Sequence, residues 1–261
     1  MYHSISSGVS PRFKSFAVSP EVFARQMAFL AHHAYTPITV SQLAQARTSA
    51  STSTSTHLPA RPVVLTFDDG YADFYSHALP VLRQHHFTAT LYVTTDFVGS
   101  TSRWLQREGE SHRPLLNWQQ LSEIASSGIE CGAHTQTHPH LDTLSPHLAY
   151  QQIISSKHAL EDHLGLPVHS FAYPFGHYDR RVRDQVQSAN FYSACAVTPA
   201  LSTPSDDLFA LSRIMILNRP DLTWFGKRLR GKGITILPRD PIRPWLDGVL
   251  RRLKARLIRF A

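Results

Sequence analysis

Between residues 63 and 216 the chain alternates short, β-branched apolar runs with longer segments of helical periodicity, and turn residues separate them. The apolar runs fall at 63–67, 89–93, 129–133, 170–173, 192–197 and 211–216; the helical segments fall at 75–84, 118–126, 146–164 and 179–188. Strand–helix alternation of this kind demands a parallel sheet, because each return to the same sheet edge needs a crossover that a helix supplies. About seven such units fit the chain, which predicts an α/β fold: a single distorted, incomplete, seven-stranded β/α barrel.

Local signals mark the element ends. Ser19 followed by Pro20 reads as an N-cap and first helical residue, with Phe23, Met27 and Leu30 at helical spacing behind them. A short strand is expected at 37–40, and Ser41 as the cap of a helix through residue 46. Asn117 is placed to cap the segment beginning at Trp118, Pro146 opens the longest helix, and Gly165 ends it. Residues 48–56 are almost wholly Ser, Thr and Ala and read as a surface loop.

Charge divides the chain. Residues 1–218 hold 14 Lys and Arg against 16 Asp and Glu, whereas residues 219–261 hold 12 against 3. The formal charge of +7 therefore belongs to a tail, and the near-neutral body argues against nucleic acid as a partner. We expect 1–218 to form the barrel domain and 219–261 a basic amphipathic tail. Its stretch 244–260 puts Trp245, Leu246, Val249, Leu250, Leu253, Leu257 and Phe260 on one helical side and arginines on the other. Such a helix either packs on the barrel or makes peripheral contact with an anionic membrane surface. No run of about 18 apolar residues exists to span a bilayer. Cys131 and Cys195 are too few for a disulfide framework or a Cys-rich zinc site.

Three segments follow expected strands, where parallel α/β folds gather their active sites. Thr66-Phe67-Asp68-Asp69-Gly70 places two carboxylates at a strand end, aimed apart, so that one can bind a cation and the other stay free; Asp-Gly is also an ordinary turn pair. His134-Thr135-Gln136-Thr137-His138 spaces two histidines four apart, which on one helical turn would share a face and chelate one ion. Sixteen histidines in the chain make such a pair uninformative alone. Phe171-Ala172-Tyr173-Pro174-Phe175-Gly176 fixes a tight backbone that can aim an amide N–H at a bound carbonyl oxygen, or form a plain turn.

Together these segments resemble the polysaccharide deacetylase family (carbohydrate esterase family 4, with its chitooligosaccharide-deacetylase homology domain). The resemblance runs from Val63-Val-Leu-Thr-Phe-Asp-Asp-Gly-Tyr71 through Cys131-Gly-Ala-His-Thr-Gln-Thr-His138 to Phe171-Ala-Tyr-Pro-Phe-Gly176. Ala89-Thr-Leu-Tyr-Val93, Leu211-Ser-Arg-Ile214 and Met1-Tyr-His-Ser-Ile5 support it, the last pointing to the exopolysaccharide-type branch.

The resemblance implies a metal-dependent hydrolase that removes N-acetyl groups from N-acetylhexosamine units of a polysaccharide, oligosaccharide or lipid-linked glycan and releases acetate. It assigns Asp69, His134 and His138 to one divalent metal ion, zinc first, with cobalt, nickel or iron as alternatives. Asp68 becomes the general base and Tyr173, Pro174 and Phe175 the substrate-binding wall. Many members carry an Arg in the third segment that orients the base; Ala172 stands there in this chain, and Arg213 is the expected substitute. Many also carry a late Leu-x-His general acid, which 234–238 lacks, leaving His177 as the nearest histidine in sequence.

The family's members have an apolar strand ahead of the Met-Tyr-His segment with which this sequence opens. No basic stretch followed by an apolar one precedes it, so the expected location is cytoplasmic or membrane-peripheral as written, and extracytoplasmic if a longer N-terminus carries a leader. Two further readings follow from the residues: a catalytically degenerate homologue that binds glycan or membrane, and a non-heme Fe(II) oxygenase, which shares the two-His-one-carboxylate ligand set.

Overall fold

A computed structural model describes residues 1–49 and 57–233. The chain opens with β1 (Ser4–Ile5) and β2 (Ala17–Val18), paired in parallel. Ser19 Oγ then accepts from the Val22 amide at 3.3 Å and starts α1 (Pro20–His32), which buries Val22, Phe23, Met27 and Leu30. β3 (Thr36–Ile38) leads into α2 (Val40–Ser49). The cap of α2 is Thr39, not the expected Ser41: Thr39 Oγ1 accepts from Gln42 N at 3.1 Å, and Gln42 Oε1 accepts from Thr39 N at 2.9 Å. Ser41 instead donates its hydroxyl to Glu130.

The run expected as one strand at 63–67 breaks at Leu65. β4 (Pro62–Val64) pairs with β3, and only β5 (Thr66–Phe67) enters the main sheet. The helix expected at 75–84 begins with a π turn (Phe74–Ala78) before α3 (Leu79–Gln84), and the Asp73 carboxylate ahead of it accepts from Ser4 Oγ at 2.6 Å and Ile5 N at 2.9 Å instead of capping it. Beyond these lie β6 (Thr90–Val93), α4 (Trp118–Ser126), β7 (Glu130–Ala133), α5 (Pro146–Leu164), β8 (Ser170–Ala172), α6 (Arg180–Ser188), β9 (Ser193–Cys195) and α7 (Leu222–Leu229). Asn117 caps α4 in a reciprocal box with Gln120, and Gly165 ends α5 in the left-handed conformation.

Strands β5 to β9 form one curled sheet, all parallel and in chain order, with α3 to α6 as the four crossovers. Among the described residues this sheet has five strands where seven were expected. Its edges continue only as single bridges, Tyr2 to Phe67 and Leu211 to Cys195. The segment 211–216 forms no strand because its amides reach three different partners: Ala194 O, Thr198 O and Met1 O. The first part of the basic tail is α7, whose Phe225 ring packs 5.7 Å from Phe29 of α1. The apolar stretch at 244–260 lies outside the described residues.

Strand alternation sorts the side chains. Phe67, Leu91, Val93, Ala133, Phe171 and Ala194 pack outward against the helices, whereas Tyr92, Ala172, Cys195 and Leu211 meet inside the curl. Gly132 lies in that inner layer, where a Cβ would come 2.5 Å from a Tyr92 ring carbon. The lower end is closed by Glu130, which accepts from the hydroxyls of Ser41, Thr90 and Ser170. The carboxyl ends of β5, β7 and β8 are thus left to carry the three segments.

Candidate metal centre and active site

At the end of β5 the Asp68 amide donates to Tyr2 O at 3.1 Å, and then the chain reverses. Asp69 has φ +78° and Gly70 φ +82°, both left-handed, a conformation that costs a non-glycine residue about 1 kcal/mol or more. This reversal separates the two adjacent carboxylates: Asp68 turns to Arg213 and Asp69 to the two histidines.

The histidines do not share a helical turn, contrary to the spacing argument. His134 ends β7, and the following residues form an irregular turn in which Thr135 (φ +68°) and His138 (φ +57°) are left-handed. Thr135 Oγ1 accepts from the His138 amide at 3.0 Å and fixes that turn. Both rings nevertheless converge on Asp69 Oδ1, His134 Nε2 at 3.4 Å and His138 Nε2 at 3.2 Å. The three ligand atoms lie within 4.8 Å of one another, all buried.

The donor set fits a divalent cation. His134 Nδ1 lies 2.7 Å from Ala172 O, and a carbonyl only accepts, so Nδ1 carries the hydrogen and Nε2 presents its lone pair to the carboxylate. Burial pushes His138 toward its neutral form more strongly than Asp69 draws it back. Asp69 is itself held far below the usual carboxylate range: burial opposes this, but the two rings that meet it, His138 first, outweigh it. Two His nitrogens and one carboxylate oxygen match a divalent ion with positions left for water and substrate.

Arg213 reaches the other carboxylate. Its two terminal nitrogens donate to Asp68 Oδ1 at 2.7 Å and Oδ2 at 2.8 Å, and its Nε donates to Ala196 O at 2.9 Å. The pair is buried and bidentate, the strongest geometry available to a guanidinium and a carboxylate. Burial alone would raise the Asp68 carboxyl; the charges of Arg213, His134 and His3 reverse this and keep it below the ordinary range. The Ala172 side chain contributes only packing to the inner layer. Beneath Arg213 lies the Tyr92 ring, 5.6 Å away, with its hydroxyl donating to Cys195 Sγ at 3.3 Å.

The third segment divides. Tyr173 is fully buried, donates its hydroxyl to Phe209 O at 2.9 Å and stacks on Tyr178, so its ring belongs to the core and not to a substrate wall. Pro174 is buried beside it. Phe175, at φ +59°, points outward and is 45% exposed. His177 stacks on His140 at the rim, 5.5 Å away.

His3 was not singled out from the sequence beyond its place in Met1-Tyr-His. Its partly buried ring is shifted toward neutrality by burial, against the pull of Asp69 and Asp68. The N-terminal segment lies against the strand that carries the two carboxylates: Tyr2 N donates to Thr66 O at 2.8 Å and the Asp68 amide donates to Tyr2 O at 3.1 Å.

The family model for polysaccharide deacetylases matches residues 55–194, more than half of the chain. The chain belongs to the polysaccharide deacetylase family. A poly-β-1,6-N-acetyl-D-glucosamine N-deacetylase of Staphylococcus epidermidis is 26% identical over 82% of this chain and 73% of its own length. The Escherichia coli K12 enzyme of the same name is 22% identical over 93% of this chain, which spans only 39% of that protein. Among solved structures, the Streptococcus pyogenes deacetylase PplD in complex with acetate superposes with a TM-score of 0.72 at 26% identity, covering 86% of this chain and 95% of its own. Family and relatives identify the chain as a carbohydrate N-deacetylase, a hydrolase. They set the oxygenase reading aside.

Proposed function

We propose that this deacetylase removes N-acetyl groups from N-acetylhexosamine units of a glycan and releases acetate and a free amino sugar. Asp69, His134 and His138 would hold one divalent ion, with zinc the expected metal. The observation that carries the reading is the division of labour at one strand end: Asp69 meets Nε2 of His134 and of His138 while its neighbour Asp68 is paired with Arg213.

When bound, a dication at this site polarises the acetamide carbonyl and lowers the pKa of water. Asp68 is the general base. Its ionised carboxylate takes a proton from water as the water oxygen bonds to the acetyl carbon. Arg213 positions Asp68 and keeps it charged. The Phe175 amide, on its tight turn, would donate to the developing oxyanion. Scission of the C–N bond needs a proton at the leaving nitrogen, and His3, next to Tyr2 on the segment hydrogen-bonded to β5, is our candidate to deliver it. His177, on the rim with His140, is the weaker candidate.

The boundary between a catalytic unit at 1–218 and a basic tail at 219–261, and peripheral membrane contact through that tail, belong to the same proposal. So does placement outside the cytoplasm if a longer N-terminus carries a leader. The test is acetate release from a β-1,6-linked N-acetylglucosamine pentamer by the zinc-loaded chain. Turnover abolished by Asp68→Asn supports the reading; no acetate from this or a chitin pentamer favours the degenerate homologue.

A further inference from the structure

The two histidines of the candidate metal centre are held by different means. The His134 ring is fixed through its second nitrogen, since Nδ1 lies 2.7 Å from Ala172 O. A histidine ligand is ordinarily oriented in this way, by a hydrogen bond at the ring nitrogen that faces away from the metal. His138 has none: its Nδ1 is buried and meets no acceptor among the described residues. The bond from its amide to Thr135 Oγ1 fixes the backbone but not the side-chain torsions that turn the ring.

Aromatic contact stands where that bond is missing. The indole of Trp104 stacks on the His138 ring, with centroids 4.9 Å apart and planes at 22°. Phe175 touches the same ring at 4.6 Å and 70°, a T-shaped contact that shares less face than the stack. Trp104 is brought there by a short 3-10 turn (Arg103–Leu105) in a loop closed by Ser102, whose amide donates to Arg113 O at 3.0 Å and whose hydroxyl donates to Glu110 O at 2.6 Å. Leu105 anchors the turn in a small apolar cluster with Phe13, Tyr71 and Leu115, and the Phe97 ring packs 5.1 Å from the indole. Arg12 ties the loop to the N-terminal segment by donating to Arg107 O at 2.8 Å. The indole nitrogen is buried and has no acceptor among the described residues, a cost that a phenyl ring would not carry. What the indole adds over phenyl is a larger and more electron-rich face.

We propose that Trp104 is a positioning residue of the metal centre: its indole face holds the His138 ring in the plane that presents Nε2 beside Asp69. This rests on the assignment of Asp69, His134 and His138 to one divalent ion, and it adds a residue from outside the three segments that carry those ligands. An imidazole bound to a dication has positive charge drawn into its ring, and an electron-rich face attracts such a ring more strongly than a neutral one. Trp104 therefore favours the metal-bound state of His138 over the free one. The stack raises metal affinity as well as fixing geometry.

The experiment measures zinc affinity of the full chain by competition with a chromogenic chelator, and coordination by the visible spectrum of the cobalt(II)-loaded chain. Trp104→Leu keeps apolar bulk without a π face, Trp104→Met repeats that comparison independently, and Trp104→Phe keeps a face. The Leu and Met variants should bind zinc about tenfold to a hundredfold more weakly, with cobalt bands moved toward those of His138→Ala; Trp104→Phe should stay within about threefold of the wild type and keep its bands. The positioning role is overturned if the Leu and Met variants bind zinc as tightly as Trp104→Phe, because bulk alone then suffices. It is equally overturned if all three lose affinity alike, or if affinity falls while the cobalt bands stay put, since His138 then keeps its place without the stack. A wild-type chain that takes up no zinc sinks the metal assignment and this role together, whereas zinc held alike by the wild type and Trp104→Leu sinks this role alone. None of these readouts is turnover, so zinc held through Trp104 without acetate release would uphold the role and count against the deacetylase reading.

Discussion

Arg213 and Asp68 stand 145 residues apart and meet through two parallel hydrogen bonds of 2.7 and 2.8 Å, both side chains buried. The pair joins the irregular segment at one sheet edge to the strand end at the other. It does for the base what a side chain at Ala172 does not.

Removing one partner leaves an uncompensated buried charge. Asp68→Asn should cost about 3 kcal/mol of stability by leaving the Arg213 guanidinium half-partnered, and Asp68→Asn/Arg213→Met should recover part of it. Urea denaturation of the wild type, the two single variants and the double variant checks this. Equal losses in the single and double variants would show that the ion pair is not the source.

The same pair sets a pH dependence. Asp68 is held below its ordinary value of 3.8 in the fold, so its contribution is fully present above that pH and is lost as pH falls through the lower folded value. Asp73 acts in the opposite sense, since burial holds its carboxyl above the ordinary value. The difference in unfolding free energy between wild type and the double variant isolates Asp68: it should be flat from pH 7 to 5 and shrink below pH about 3.8. A difference that grows on acidification would contradict the assignment.

The metal centre predicts stoichiometry. Elemental analysis should find about one divalent ion per chain, absent in His134→Ala and Asp69→Ala, and chelation should lower the melting temperature of the wild type alone. A chelator effect of equal size in His134→Ala would place the ion elsewhere.

His3 and His177 make a discriminating pair for the leaving-group proton. His3→Gln should lower kcat on the pentamer about a hundredfold and remove one limb of its pH profile, whereas His177→Gln should leave kcat within about threefold. The reverse ranking would move the proton donor to the rim.

Gly132 tests the inner layer under Arg213. A Cβ there would sit 2.5 Å from the Tyr92 ring, so Gly132→Ala should destabilise the fold by about 1–3 kcal/mol and displace the ring beneath Arg213. Gly132→Ala combined with Tyr92→Leu should regain stability, as calorimetry would show; no recovery would mean that Ser170 Oγ, at 2.8 Å from the added carbon, sets the limit.

What the sequence determined by itself is local in origin. Alternating apolar runs and helix caps at Ser19, Asn117 and Gly165 fix a parallel α/β chain, because periodicity and capping are satisfied within a few residues. The neighbours Asp68 and Asp69, and the pair His134 and His138, were legible as types and spacings. Tertiary structure decided the rest. His134 and His138 converge through left-handed backbone at Thr135 and His138, not through helical geometry, and no spacing rule reports a φ. Tyr173 turns into the core while Phe175, two residues on, turns out, because the turn at Pro174 breaks strand alternation. The split at Leu65 and the bridges at Tyr2 and Leu211 depend on which distant backbone groups are in reach. Arg213 is expected from the sequence as the substitute at Ala172, but its bidentate reach to Asp68, like the placing of Tyr2 and His3 beside β5, exists only in the closed fold, because hydrogen bonds and charges act through a few ångströms of space.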